Sequence, residues 1–426
     1  MLLIHTQKLT PRISYVFKHI CTRILGIEIM FTSAIEEFIV HSGPKLSYGK
    51  QPMGNELFVQ SEGLLTQQGF EAFDISVKEW EETKCFFSVS SKSVLPFDIF
   101  SASFYLLTRY EEYLPHVKDA MGRFPALESL AFKENFLREP VIDIWAHKFK
   151  RILLTSFPDL LIVKKKMTVH TLIEARQPYA YKQHGFLRSL MGYVLDLWRF
   201  KFRRISQRTK VILGFRKDPF NTFNWIINSS RSTSSHLSIF FLLGDGLEFM
   251  ESLNTQRSKF KMLVKYVSDY LEIGLIFSFA ALKDYELLKL EKKRIEEITN
   301  RTLLSSMNAQ MLVSLPDIYR NLVELEVEKD FTMVYEDEVG FRAGTCTPFL
   351  FYDLDSEIKT PLIVFPLSMT TKALENKYDS EINKTFNTIF NSVRSVNGTF
   401  SMLFSNTNFA ASEKNKIWRT IFLEKL

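Results

Sequence analysis

The sequence predicts an α/β protein in two parts, a mixed α/β domain over residues 1–160 and a run of β/α units over residues 161–426. Three observations carry this. From Thr168 onward, short apolar runs alternate with amphipathic stretches of helical period, the pattern of parallel β/α units. One run, His236–Gly244 (HLSIFFLLG), is apolar almost throughout, as a strand covered on both faces requires. Pro158-Asp159 interrupts the chain between a helical segment and the first of these runs. Periodicity alone fits a closed barrel and a doubly wound sheet equally.

Composition narrows the functional classes. The 426 residues suffice for two or three domains, and the 46% apolar and 24% charged content is that of an ordinary globular protein. The net charge of +6 is mild for this length and calls for no nucleic-acid partner. No run of eighteen apolar residues occurs, so no transmembrane helix is expected. The N-terminal MLLIHTQKLTPRISYVFK lacks the apolar core and cleavage site of a secretory signal. Cys21, Cys85 and Cys346 are too far apart for a metal-ligand spacing. They read as buried thiols, and a reducing cytoplasm is the expected location.

In the first domain, Ile13–Leu25 carries apolar residues at helical spacing. Ile27–Phe31, Glu37–Val40, Glu56–Val59, Ala72–Ile75 and Cys85–Ser88 read as short strands, and His41–Tyr48 reads as a turn into another. Pro96 and Asp98 suit the start of a helix that runs to Leu114 with a broad apolar face. It is the expected central buried helix. Its last residues, Arg109-Tyr110-Glu111-Glu112-Tyr113, read as a solvated end with ion pairs one turn apart. Ile142–Phe157 closes the domain as a further helix.

In the second part, Met167–Ala175 is the expected first buried strand, with Glu174, Arg176, Gln177 and Pro178 at its C-terminal end. That end is where the active sites of α/β barrels lie. Phe186–Arg204 reads as one long helix with Leu187, Leu190, Val194, Leu195 and Trp198 on one face. Its basic end, Arg199–Arg204, suits a helix C-terminus. Because aromatics interleave with the cations, contact with a membrane surface or a polyanion is the other reading. Further strands are expected at Glu272–Ala280, Ser305–Val313, Asp330–Tyr335, Leu362–Phe365 and Thr399–Phe404. Helices are expected at Lys259–Leu271, Asp284–Thr299, Pro316–Val327, Lys372–Val396 and Ser412–Leu426.

Several of these segments resemble one family over roughly residues 12–422. PFDIFSASFYLLTRYEEYLPH (96–116), SLAFKENFL (129–137), PVIDIW (140–145), QPYAYKQHGFLR (177–188) and GFRAGT (340–345) are similar to segments of polysaccharide deacetylases that carry a DUF7033-like N-terminal domain. The resemblance implies an irregular (β/α) barrel over 161–426 and a catalytic centre that hydrolyses N-acetyl groups of sugars. Such chemistry uses Zn or a similar divalent metal with an open coordination position, together with a carboxylate base and an acid. In the family the first strand ends in Asp-x-Asp. Aligned on Tyr179 and Tyr181, those positions hold Glu174 and Arg176. The family's metal-binding histidine after a later strand falls on Ile276, another histidine on Ala309, and a late one on Ser405.

Every ligand or acid position that the resemblance places is therefore occupied by a residue that cannot serve, Glu174 excepted. The histidine inventory agrees. All eight histidines lie at or before His236, so residues 237–426 offer no imidazole. Alternation puts His170 on the side of Glu174 but about 13 Å away along an extended strand, as a strand-bottom residue. His184 is expected in an exposed turn. Glu174 and Arg176, two apart, share a face, and the guanidinium supplies a permanent cation where a divalent ion would sit. Glu174, Arg176, Tyr181, Asp330 and Arg342 are the candidates to line what remains of the pocket.

The leading expectation is a catalytically inactive deacetylase-like protein, without a metal cofactor, that binds a glycan or another protein. One alternative is an active hydrolase built on Glu174. Another is a displaced metal site in which His170, His184, His236 and Glu174 converge.

Overall fold

The computed structural model describes residues 1–424 except 184, 232–234, 245–254 and 256. The first domain is built on a parallel sheet of strands β1 (Leu2–Thr6), β2 (Ile29–Thr32), β3 (Lys45–Gly49) and β4 (Leu57–Gln60) in the order β2-β1-β3-β4. β1 is central, and all five of its residues are buried. The apolar start of the chain is thus the middle strand of a sheet, a segment that the sequence reading assigned to no element. β5 (Lys78–Trp80) and β6 (Thr83–Cys85) form a small hairpin.

The helices of this domain are α1 (Pro11–Phe17), α2 (Ile35–Val40), α3 (Ile99–Leu107), α4 (Tyr110–Tyr113), α5 (Leu130–Lys133) and α6 (Val141–Ser156). Thr10 caps α1, which continues as a wider π-helical turn over Lys18–Ile24. Asp98 caps α3 by accepting from the Phe100 and Ser101 amides at 3.1 and 3.0 Å. α3 is buried along its whole length, as expected of the central helix.

Several expectations fail here, among them the strand Cys85–Ser88, of which only Cys85 lies in a strand. Glu37–Val40 is not a strand but lies in α2, whose first turn holds Glu36 and Glu37, where acids favour a helix start. Ala72–Ile75 is irregular, although Phe73 and Ile75 pack on the core; burial without a paired strand explains its strand-like composition. The charged run 109–113 is not solvated. Arg109 takes a left-handed conformation (φ 54°) that separates α3 from α4, and its charges turn inward.

The second part alternates strand and helix. Its strands are β7 (Thr168–Ala175), β8 (His236–Leu242), β9 (Glu272–Phe277), β10 (Ser305–Asn308), β11 (Lys329–Asp330), β12 (Phe349–Asp353), β13 (Ile358–Val364), β14 (Met369–Thr370) and β15 (Thr399–Ser405). The helices are α7 (Phe186–Trp198), α8 (Phe202–Ile212), α9 (Phe223–Ser230), α10 (Ser258–Ser268), α11 (Tyr285–Thr299), α12 (Asp317–Glu324), α13 (Asp379–Ser395) and α14 (Lys416–Glu424). Pairing is parallel except between β12 and β13. Asp330–Tyr335 contributes only its first residue to a strand.

The sheet closes on itself. β13 pairs with β11, and the same run of chain, carried on through Phe365–Ser368 into β14, pairs with β15. The amide of Phe365 still donates to Asp330, whereas that of Ser368 donates to Ser401. One strand thus hands its hydrogen bonds from one end of the sheet to the other, which decides between the barrel and the doubly wound sheet in favour of an irregular barrel. Its interior is apolar: Leu172, Phe240, Ile276, Met307, Phe331, Leu367 and Leu403 meet there. Gly274 is needed for this packing. A Cβ at that position would stand 2.3 Å from the Phe240 ring.

The expected helix over Phe186–Arg204 is two helices. Phe200 adopts φ 53° and the Lys201 amide returns to the Asp196 carbonyl, so the chain reverses into α8. Of the basic run, only Arg199 caps a C-terminus, while Arg203 and Arg204 stand in the first turn of α8, where the macrodipole disfavours cations. The Leu187 side chain and His184 lie outside the described residues.

Candidate functional site

The C-terminal end of β7 is a charged rim above the apolar barrel interior. Glu174 stands opposite Ser405 in the β7–β15 register and opposite Phe240 in β8. Arg176 donates through Nε to Glu174 Oε2 at 2.8 Å, and its Nη2 lies 3.9 Å from Glu336 Oε1. Glu336, buried in the loop after β11, also receives Arg123 at 2.6 Å and Lys372 at 3.0 Å. Burial would raise the Glu336 carboxyl, but Lys372 and Arg176, with hydrogen bonds from Lys372 and Arg123, outweigh it and hold the group below the usual carboxylate range. Arg123 is itself paired with Asp119 at 2.7 Å. The rim is therefore a chain of alternating charges, Asp119–Arg123–Glu336–Arg176–Glu174, with Lys372 joining at Glu336.

Of the positions that the resemblance names, Glu174 and Ser405 are register partners, and Ile276 and Ala309 lie in one apolar cluster. Ile276 is fully buried in β9 and Ala309 follows β10; both pack in the barrel interior with Phe240 and Met307. The Ser405 hydroxyl meets the Thr407 hydroxyl at 2.8 Å. Aliphatic side chains offer no donor atom, and a guanidinium stands at Arg176, so the donor set does not fit a divalent metal. Among the described residues, no group of three or more His, Cys, Asp or Glu side chains is placed to hold a metal ion.

Three of the expected pocket residues face elsewhere. Asp330 is fully buried and receives the Tyr319 hydroxyl at 2.9 Å and the Thr332 hydroxyl at 2.6 Å. Its neighbour Phe331 fills the barrel, so alternation turns Asp330 outward, toward α12. Burial lifts its carboxyl to about 6, despite the hydrogen bonds from Thr332 and Tyr319.

Arg342 is buried against the first domain. It forms a two-pronged pair with Glu112, Nε to Oε1 at 3.0 Å and Nη2 to Oε2 at 2.8 Å. Glu112 also takes Arg109 at 2.8 Å, and Arg109 reaches the Tyr335 hydroxyl at 2.9 Å and the Arg342 carbonyl. Burial raises the Glu112 carboxyl, and the two guanidinium groups more than reverse this, leaving it lowered. The Arg-Tyr-Glu-Glu segment and the GFRAGT segment thus recognise each other across the two domains. Tyr181, half-buried, lies beneath the Arg208 guanidinium, 5.0 Å from the ring centre.

His170 and His236 do meet, with ring centres 5.2 Å apart, and His170 stacks on Phe365. They stand at the bottom of the barrel, four residues along β7 from Glu174. Burial, and next the charge of His236, lowers the His170 pKa to about 4, so the ring is neutral at pH 7. Three of the four residues proposed for a displaced metal site are therefore split between opposite ends of the strand, and His184 lies outside the described residues.

Sequence reasoning missed Glu336, the hub of the rim. Its only signal is its place in the acidic Tyr335-Glu336-Asp337-Glu338 run after β11. No curated protein matches the chain. The solved structures include a similar protein from Mycobacterium smegmatis, assigned as a polysaccharide deacetylase. It is 9% identical, with a TM-score of 0.38 over 61% of this chain and 85% of that one. Residues 2–158 match a family of unknown function, DUF7033.

Proposed function

We propose that this protein is a deacetylase-like barrel that carries out no acetyl hydrolysis and uses the charged rim of the barrel to bind a glycan or a partner protein. The observation that carries this reading is Arg176. Its guanidinium sits 2.8 Å from the Glu174 carboxylate, at a position where the family resemblance places a metal-binding aspartate. A guanidinium stays charged at any working pH, repels a divalent ion and occupies the carboxylate that would have to act as base. Ile276 and Ala309 take no part in coordination, so no step through zinc or a related metal is assigned to this barrel.

What the rim does offer is a row of fixed carboxylates and guanidinium groups, which accept and donate charge-assisted hydrogen bonds. Sugar hydroxyls and amides, or the polar side chains of a protein, suit such a row. A hydrolase built on Glu174 would need a free carboxylate and a nearby acid. The ion pair to Arg176 opposes the first, and the imidazoles of His170 and His236 are at the other end of the barrel.

The test pairs turnover with binding. The full chain is incubated with N-acetylated chito-oligosaccharides, with and without added zinc, while acetate release is followed and binding is measured by calorimetry. The reading expects no acetate above the blank, and saturable binding that weakens about tenfold or more when Glu336→Gln removes the hub charge. Acetate release that disappears in Glu174→Gln would contradict it.

A further inference from the structure

α7 and α8 form a hairpin that is built inside out. The two helices meet through polar groups. Arg208, buried, donates to Asp196 Oδ2 at 2.8 Å, the Tyr193 and Thr209 hydroxyls meet at 3.0 Å, and the Arg208 guanidinium fills the space at Gly192, where a Cβ would lie 2.3 Å from it. The base of the hairpin is tied as well. The Asp218 carboxylate, after α8, accepts the amides of Ala180, Tyr181 and Lys182, before α7, at 2.7, 2.9 and 3.0 Å.

The apolar residues point the other way. Trp198 is 75% exposed and Phe200 78%, and with Val194, Leu197 and Phe202 they cover the outer side of α7 and the reversal between the helices. An exposed aromatic and aliphatic patch of this kind on an element tied at its base marks an interaction surface rather than scattered surface residues.

Charge identifies the occupant. Residues 189–217 contain eight Lys or Arg and one acid, Asp196, and that acid is buried against Arg208. Elsewhere the chain has a slight excess of acid. Arg199, Arg203, Arg204, Arg216 and Lys217 are exposed on the same hairpin and its exit. Apolar side chains ringed by cations, with a tryptophan at the boundary, complement the interface of a bilayer that carries anionic headgroups. The geometry points to docking of this hairpin, aromatic tip inward, onto an anionic membrane surface. No helix of the described residues is long and apolar enough to cross a membrane, so the contact lies in the interface. The hairpin follows β7, the strand whose C-terminal end bears Glu174. This inference does not rest on the reading of the charged rim.

The experiment is cosedimentation of the full chain with vesicles of phosphatidylcholine alone and of phosphatidylcholine mixed with phosphatidylglycerol. Binding is expected to the anionic vesicles only, and to weaken as salt is raised. Arg203→Glu with Arg204→Glu is expected to weaken it at least about tenfold. Trp198→Ser with Phe200→Ser is expected to weaken it at least about tenfold as well. All four side chains are exposed, so the thermal midpoint serves as the control for folding. Equal binding to both vesicle types, or no binding to either, overturns the inference. So does a wild-type chain that light scattering shows to be a dimer and that the Trp198/Phe200 variant turns into a monomer without any vesicle binding in either form.

Discussion

At the scale of single residues, several charged groups are buried in pairs. The Glu112–Arg342 pair is enclosed on both sides. Removing one partner of a buried pair leaves the other charge without compensation. Arg342→Ala is therefore expected to lower stability by about 3–5 kcal/mol in urea denaturation, and Arg342→Lys to recover only part, because an ammonium cannot reproduce the two-pronged contact. Asp330 gives a pH signature. Its carboxyl titrates near 6 in the folded protein and near 4 in an unfolded chain. Between these values the folded state holds a proton that the unfolded state has lost. The stabilisation is complete below the lower value and disappears as pH rises through the upper one. Wild type should accordingly gain on Asp330→Asn by about 1 kcal/mol when denaturation is moved from pH 7 to pH 5, and an advantage that shrinks instead would show that the carboxyl is not raised. The pairing of Glu174 with Arg176 was legible in the sequence because two residues on one strand fix each other's side. Glu336 was not, because its partners Arg123, Arg176 and Lys372 come from distant parts of the chain and meet only once the barrel closes.

Elements that carry their own signals were legible. α3 declares itself by Asp98 at its start and by its apolar face, and β8 by a nearly continuous apolar run. β1 has only three apolar residues before His5 and Thr6, too short a run to tell a strand from a helix. α2 was misread because its last residues, Phe38-Ile39-Val40, favour strands, while the acids of its first turn favour a helix. The break between α7 and α8 was hidden by a residue, Phe200, whose left-handed conformation no composition announces. Packing constraints at this scale can be tested at Gly274. Gly274→Ala would drive a methyl group into the Phe240 ring and is expected to cost about 1–3 kcal/mol. An unchanged thermal midpoint would mean that the barrel interior is looser than its close contacts indicate.

At the scale of the whole molecule, the segments that most resemble the deacetylase family bind the two domains to each other. Asp143, buried in α6, accepts the Thr345 hydroxyl and the Thr347 hydroxyl at 2.6 Å each and the Cys346 amide at 3.0 Å. With Arg109, Glu112 and Arg342, this fixes the barrel's loops after β11 against the first domain. The two domains are expected to unfold in one calorimetric transition in the wild type, and Asp143→Ala to lower its midpoint or split it. Two separate transitions in the wild type would show that the interface is weaker than its hydrogen bonds suggest. The architecture was legible as two α/β parts, and closure of the sheet became evident only from the hand-over of β13 and β14 between β11 and β15. The central claim is that Arg176 and its neighbours leave the barrel without metal chemistry. Its most direct test is the metal content of the purified full chain after equilibration with zinc and exhaustive dialysis. The account predicts a content near zero, unchanged in Glu174→Gln. One zinc retained per chain, and lost in Glu174→Gln, would contradict it.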